Sequence, residues 1–247
     1  MKVALLYKKY DWLHHCGGTL VGDKYVITAA HCTEWVSAAH YIEWVRPEDL
    51  KVQIGETVLY NFNEAHSAGI GVASIIRHPN FTYIEHTNIP RYDIAVLKLA
   101  KRVPLNKFPN IKPACLPDPG ALFHGDAIVT GWGRLNFHGH FATSLREVGV
   151  TVFDDKKCRI GTEDTICAGH RGGGRDACGG DSGGPLVAVD RDHHNAMTLI
   201  GVVSWGSGCG EKDPPGLYAE VSHVKNWLME EMTDFNSCGP YSGGWNE

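Results

Sequence analysis

The sequence lacks the stretches that would place it across a membrane or on a nucleic acid. No apolar run approaches the roughly 20 residues of a membrane-spanning helix. Charge of one sign is not in excess: 23 Lys and Arg stand against 28 Asp and Glu, a formal net charge of −5, with no long run of either. That balance argues against nucleic acid or an anionic membrane as a general partner. No Cys-x-x-Cys pair occurs, so neither a zinc site nor a dithiol redox motif is signalled. A signal peptide is also missing, because Met1-Lys2 is followed only by the short apolar run Val3-Ala4-Leu5-Leu6-Tyr7. Helical periodicity is scarce.

Short β-like runs, glycine and cysteine are plentiful. At 247 residues and 43% hydrophobic content, the chain is long enough for one large all-β domain or two small packed ones. Its eight cysteines are even in number and spread along the chain, which points to disulfides and an oxidising, extracellular compartment. Such a chain without an export signal reads as a fragment or a domain of a longer, secreted precursor. Asn80-Phe81-Thr82 is an N-glycosylation sequon.

Strands are expected at Val3 to Tyr7, Gly18 to Val21, Tyr25 to Thr28, Lys51 to Ile54, Val72 to Arg77 and Ile94 to Leu99. Lys8 to His15 is polar and reads as a hairpin tip. The prolines Pro104, Pro109, Pro113 and Pro117 make an extended connector, and the expected boundary divides 1–112 from 113–247. Further strands are expected at Ala127 to Thr130, Glu147 to Val152, Leu186 to Val189, Leu199 to Ser204 and Leu217 to Val221. Near the end Val224, Trp227, Leu228 and Met232 share one helical face, with Ser222 able to cap it. The tail from Cys238 onward is expected to be mobile.

The chemistry concentrates in Gly179-Gly180-Asp181-Ser182-Gly183-Gly184-Pro185. Glycine is unfavourable inside helices and strands, so this run reads as a tight turn with an exposed hydroxyl. Glycines there also leave backbone N–H groups able to converge on one point, as an oxyanion hole requires. A plain glycine turn would be the default reading of Asp-Ser-Gly alone. Ala29-Ala30-His31-Cys32 and Tyr92-Asp93-Ile94-Ala95 change it, since each sets a titratable residue in an apolar, strand-like context. Together the three stretches resemble the chymotrypsin/trypsin family of serine endopeptidases, over nearly the whole chain.

The resemblance implies two six-stranded antiparallel β-barrels, a C-terminal helix and a cleft between the barrels. It implies Ser182 as nucleophile, His31 as general base and then acid, and Asp93 as the carboxylate that orients the imidazole. The backbone N–H groups of Gly180 and Ser182 would form the oxyanion hole. Asp176 would lie at the base of the primary specificity pocket, with Ser204, Trp205, Gly206 and Gly216 in its walls. The expected outcome is cleavage of protein or peptide substrates after Arg or Lys. Ala177 departs from the serine of trypsin and tilts the preference toward Arg. Protein inhibitors would be further partners.

The family pattern also implies the disulfides Cys16–Cys32, Cys158–Cys167 and Cys178–Cys209. Cys115 and Cys238 are left over, and in the isolated domain they are expected to bridge. Ala127 and Ala188 stand where a further family disulfide is frequent. The other histidines read as surface residues, with His14-His15 and His193-His194 as loop pairs. Glu56 and Glu64 are a poor match to a calcium loop, and Pro215 stands where sodium-activated relatives carry tyrosine, so no metal and no cofactor is expected. The segment between Cys158 and Cys167 is shorter than in trypsin, which touches the outer subsites. The Ile-Val-Gly-Gly that follows family activation is absent, so Asp181 is expected to lack its usual ammonium partner and the pocket to stay zymogen-like. A rival reading is a catalytically silent homologue that binds a partner through the same surface.

Overall fold

The structure is a computed structural model that describes residues 1–8, 10–36, 42–61, 64, 66–154, 158, 161–190 and 196–235. The first half runs β1 (Lys2–Lys8), β2 (Trp12–Val21), β3 (Tyr25–Thr28), β4 (Glu34–Val36), β5 (Ile42–Trp44), β6 (Leu50–Ile54), β7 (Ala68–Arg77), β8 (Thr82–Tyr83), β9 (Pro90–Arg91) and β10 (Ala95–Leu99). The second half runs β11 (Gly125–Gly131), β12 (Arg146–Val152), β13 (Thr165–Gly169), β14 (Pro185–Asp190), β15 (Ala196–Trp205), β16 (Gly216–Glu220) and the helix α1 (Lys225–Glu231).

Two sheets close into barrels, one in the order β1-β2-β3-β10-β7-β6 and one in the order β11-β12-β13-β16-β15-β14. All pairings within them are antiparallel. Closure removes the exposed strand edges that a chain so rich in short strands would otherwise present. The expected fold class, two six-stranded barrels with a C-terminal helix, is what the structure has.

Each barrel fills with branched side chains. Val26, Ile27, Val52, Ile54, Val96 and Leu97 anchor the first core, while Val129, Leu186, Ile200 and Tyr218 anchor a second cluster. Leu228 of the helix and its flanking residues Val224 and Met232 join the first barrel's cluster, together with Val187, Leu199 and Val202 of the second barrel. The helix therefore clamps the two barrels. Beyond it, Asp234 takes Lys24 at 3.2 Å and Arg102 at 2.8 Å, and accepts from Tyr25 Oη, which holds the segment after the helix on the first barrel. The connector threads between the barrels. The Ala114 N–H donates to Leu20 O, and the Cys115 N–H to Met197 O.

Four local expectations need correction. Strand β2 begins at Trp12, so Trp12 to His15 is strand and not hairpin tip, because it pairs with β1 as far as Lys8. Strand β13 had no separate signal, since its pairing with β16 and not its own alternation makes it a strand. Ser222 does not cap the helix: its hydroxyl donates to Glu220 Oε1 at 2.5 Å, and the helix starts after Val224. His14 and His15 are half-buried in β2, and His78 is buried. His193-His194 and the tail from Cys238 lie outside the described residues.

Candidate active site

His31 stands in a 3₁₀ turn, Ala30–Thr33, that leaves the end of β3. The turn is pinned from below, since Ala29, Ala30 and Cys32 are fully buried and Cys32 is bridged to Cys16 of β2. Asp93 lies two residues before β10, which pairs with β3, so the sheet register carries the carboxylate under the imidazole. Asp93 is 1% exposed. Its Oδ2 lies 2.7 Å from His31 Nδ1 and accepts the Ser204 hydroxyl at 2.6 Å, while its Oδ1 accepts the His31 N–H at 2.9 Å. Burial opposes charge on either partner. The mutual attraction and these hydrogen bonds outweigh it, so the Asp93 pKa is lowered and the His31 pKa is raised.

Ser182 lies at the mouth of the second barrel, in the turn before β14. Gly180 and Gly183 there adopt φ +98° and +74°, the left-handed side that glycine reaches without penalty. A Cβ on Gly180 would meet the Phe141 ring at 2.6 Å. The turn is fastened on both sides: Ser182 O accepts the Gly17 N–H at 2.7 Å, and the Gly183 N–H donates to Val203 O. Among the described residues, the N–H groups of Gly180 and Ser182 have no protein acceptor. Nor does a hydrogen bond join Ser182 Oγ to His31, whose Nε2 lies 3.8 Å from Cys32 Sγ. Catalytic hydrogen bonds are often long in the absence of substrate.

Asp181 is not left without partners. Its carboxylate accepts the Gly133 N–H at 2.8 Å and the Cys178 N–H at 3.0 Å. The buried ammonium of Lys2 stands across Gly131 from it; burial pulls that ammonium's pKa down to about 8, against the attraction of Asp181.

A cavity of about 330 Å³ opens beside Ser182. Asp176, Ala177, Ser204, Trp205, Gly206 and Gly216 all line it. Asp176 accepts the Ala177 N–H at 2.8 Å and the Gly210 N–H at 3.2 Å, with Tyr218 Oη at 3.5 Å. Burial nevertheless raises its pKa, and among the described residues Asp176 forms no ion pair. A Cβ on Gly216 would lie 2.7 Å from Asp176 Oδ1, so that glycine leaves the carboxylate its room. The Cys178–Cys209 disulfide braces the cavity's rim.

Cys158–Cys167 is also bridged. The expected Cys115–Cys238 bridge involves a residue outside the described ones, and in the segment between Cys158 and Cys167 residues 159 and 160 lie outside them. Ala127 and Ala188 pack into the second barrel's core. Among the described residues the one three-ligand group able to face a metal is Cys16, His31 and Cys32, and its two sulfurs are bonded to each other. Glu64 accepts from Thr57 N, Thr57 Oγ1 and Val58 N, while burial raises the pKa of Glu56. No helix of the described residues is long and apolar enough to cross a membrane.

Sequence reasoning missed the role of Ser204 as a donor to Asp93, having placed it only in the cavity wall. It missed Tyr218, and also Arg134 and Phe137 at the cavity mouth. The partners of Ser204 and Tyr218, Asp93 and Asp176, are distant in the chain, so no local signal marked those two.

Two closed barrels with a histidine–aspartate pair and a glycine-turn serine define a double-barrel serine protease domain. The chain belongs to the trypsin family, whose model matches residues 2–228. It is similar to Trypsin-1 of Astacus astacus, with 37% identity over 87% of this chain and 86% of that protein. It is also similar to Serine proteinase stubble of Drosophila melanogaster, with 33% identity over 89% of this chain. Mannan-binding lectin serine protease 1 of Homo sapiens is 34% identical over 87% of this chain. The match spans only 27% of the Drosophila protein and 31% of the human one.

Proposed function

We propose that this domain is an endopeptidase that cleaves after Arg or Lys through an acyl-enzyme on Ser182. The observation that carries this reading is a half-buried carboxylate, Asp176, without an ion pair among the described residues, in a cavity that Ser182 also lines. A long basic side chain would supply the missing charge there and lower the cost of burying Asp176. The lack of a hydroxyl at Ala177 favours a guanidinium, which can bond the carboxylate through two N–H groups.

In the first half-reaction His31 Nε2 takes the Ser182 proton as Oγ attacks the scissile carbonyl. Asp93 holds Nδ1–H and stabilises the imidazolium. The N–H groups of Gly180 and Ser182 receive the developing oxyanion. His31 then protonates the leaving amine, and water repeats the sequence to release the acid. The hydrogen bond between Ser182 Oγ and His31 Nε2 must form for this, a tightening that substrate binding would favour.

The three described disulfides support an oxidising, extracellular setting, and Asn80 is exposed on a turn where a glycan could be carried. Protein inhibitors that present Arg or Lys to the cavity, and activation from a zymogen, belong to the same reading. Labelling by a fluorophosphonate tests it: the activated protein should be modified at Ser182, and a peptide library should be cut after Arg and then Lys. A second reading, a silent homologue that binds a partner, draws on the absent Ser182–His31 hydrogen bond. No labelling at Ser182 would favour it.

A further inference from the structure

Tyr92, the residue before Asp93, has φ +49°. A bulky side chain holds that left-handed conformation only under outside constraint. Three contacts supply it. The Tyr92 N–H donates to Asp164 Oδ2 at 2.5 Å, the Tyr92 carbonyl accepts the Ile94 N–H at 2.7 Å, and the ring stacks on His78 with centroids 4.7 Å apart. Of these, Asp164 is the contact from the other barrel. It is 1% exposed and lies in the turn before β13.

Asp164 is itself held. Its Oδ1 accepts the Thr162 hydroxyl at 2.6 Å and faces Arg91 Nε at 3.4 Å, and its carbonyl accepts the Glu220 N–H at 2.9 Å. Arg91 also reaches Glu163 at 2.9 Å. A buried carboxylate of the second barrel thus grips the main chain of the first barrel one residue from Asp93.

We propose that Asp164 is a positioning residue for the His31–Asp93 pair. It locks the Tyr92 backbone and so fixes where the Asp93 carboxylate stands under the imidazole. This rests on the catalytic reading of His31, Asp93 and Ser182. The Asp93 carboxylate must meet His31 Nδ1, the His31 N–H and the Ser204 hydroxyl at once. Small rotations of residue 92 would spoil that set. The Cys158–Cys167 loop, which carries Asp164 close to its end, becomes mechanically linked to the base.

The test compares the activated full-length protein with Asp164→Ala, Asp164→Asn and Asp164→Glu. Asparagine keeps an acceptor for the Tyr92 N–H, alanine removes it, and glutamate shifts it by a methylene. Alanine and glutamate should lower kcat by roughly 10- to 100-fold with KM little changed, the scale of a small misplacement. Asparagine should stay within a few-fold of wild type. The acid limb of kcat/KM and the His31 titration by NMR should move to lower pH in the alanine and glutamate variants, because a displaced Asp93 stabilises the imidazolium less. The other titratable groups facing His31, Glu34 and His15, are unchanged in these variants.

Wild-type kcat and an unmoved His31 titration in folded Asp164→Ala would overturn the proposal. If that variant does not fold, the same result in Asp164→Glu overturns it. Equal losses in the asparagine and alanine variants would also overturn it, since charge and not placement would then be at issue. The His31 titration needs no turnover. A wild type that is unreactive at Ser182 would thus sink the catalytic reading and still leave this one measurable.

Discussion

Asp93 in the seam between the barrels and Asp176 in the cavity are both withdrawn from water, and their pKa values are shifted in opposite directions. Asp93 is the more deeply buried, yet its pKa is lowered, because an imidazole, a hydroxyl and a backbone N–H converge on it. Asp176 is half-buried and accepts backbone N–H groups and a tyrosine hydroxyl, yet burial raises its pKa. The difference is the cation. The seam carries its own positive partner, while the cavity leaves that place for one from outside. A group that must keep its position has its bonds filled; a group that must receive a substrate has one place open. The same contrast separates the filled Asp93 from the open N–H pair of Gly180 and Ser182.

The largest effect should come from breaking the filled side. Asp93→Asn is expected to lower kcat by about 10⁴-fold, the scale of loss when a triad carboxylate becomes an amide. Single-turnover acylation would measure it, and a loss below tenfold would show that Asp93 does not orient His31. Next comes the open side. Asp176→Ser should cut kcat/KM for Arg substrates by about 10³-fold or more, since a site built for a polar partner discriminates on that scale. A matched panel of Arg, Lys and Phe substrates would read it, and an unchanged Arg preference would place the specificity elsewhere.

Removing the brace between the two sides of the cavity should be milder. The Cys178–Cys209 bridge closes a separation of 31 residues, so the double alanine variant should lose about 3 kcal/mol of stability by denaturant melts. Unaltered stability would mean that the loop is held by its other contacts.

The smallest effects are on pH dependence, and their signs differ. The folded pKa of Asp176 lies above its unfolded value, so the folded state binds the extra proton between the two. Stability contributed there is lost as pH rises through that window. Asp176→Asn should therefore melt higher than wild type near neutral pH, with the gap closing toward pH 3.8 and below. Asp93 contributes stability above its unfolded value of 3.8 and loses it as pH falls through its lowered folded value. His31 contributes below 6.5 and loses it as pH rises through its raised folded value, so the acid limb of kcat/KM should sit above 6.5. Paired melts across pH 3 to 9 on the single variants would expose any sign error.

Much of this arrangement was legible in the chain. Short β-rich runs between turn residues pointed to a β-sandwich or barrel, and the runs Tyr25 to Thr28 and Ile94 to Leu99 located the strands that bring His31 and Asp93 together. The glycines around Ser182 marked a turn because glycine is unfavourable inside helices and strands, and Gly180 and Gly183 take positive φ there. Strand β13, the true start of β2 and the idle cap at Ser222 were illegible, because pairing across the barrel decides them and not local propensity.

Residue type and spacing, read through the resemblance to the trypsin family, determined the fold class and three disulfide pairs and marked the candidate catalytic side chains. Tertiary structure alone decided the direction of each pKa shift, the Ser204 hydroxyl on Asp93, the Tyr218 hydroxyl beside Asp176 and the Asp164 grip on Tyr92. Each depends on a partner tens of residues away. Burial and hydrogen bonding are properties of the packed assembly, and no window of sequence contains them.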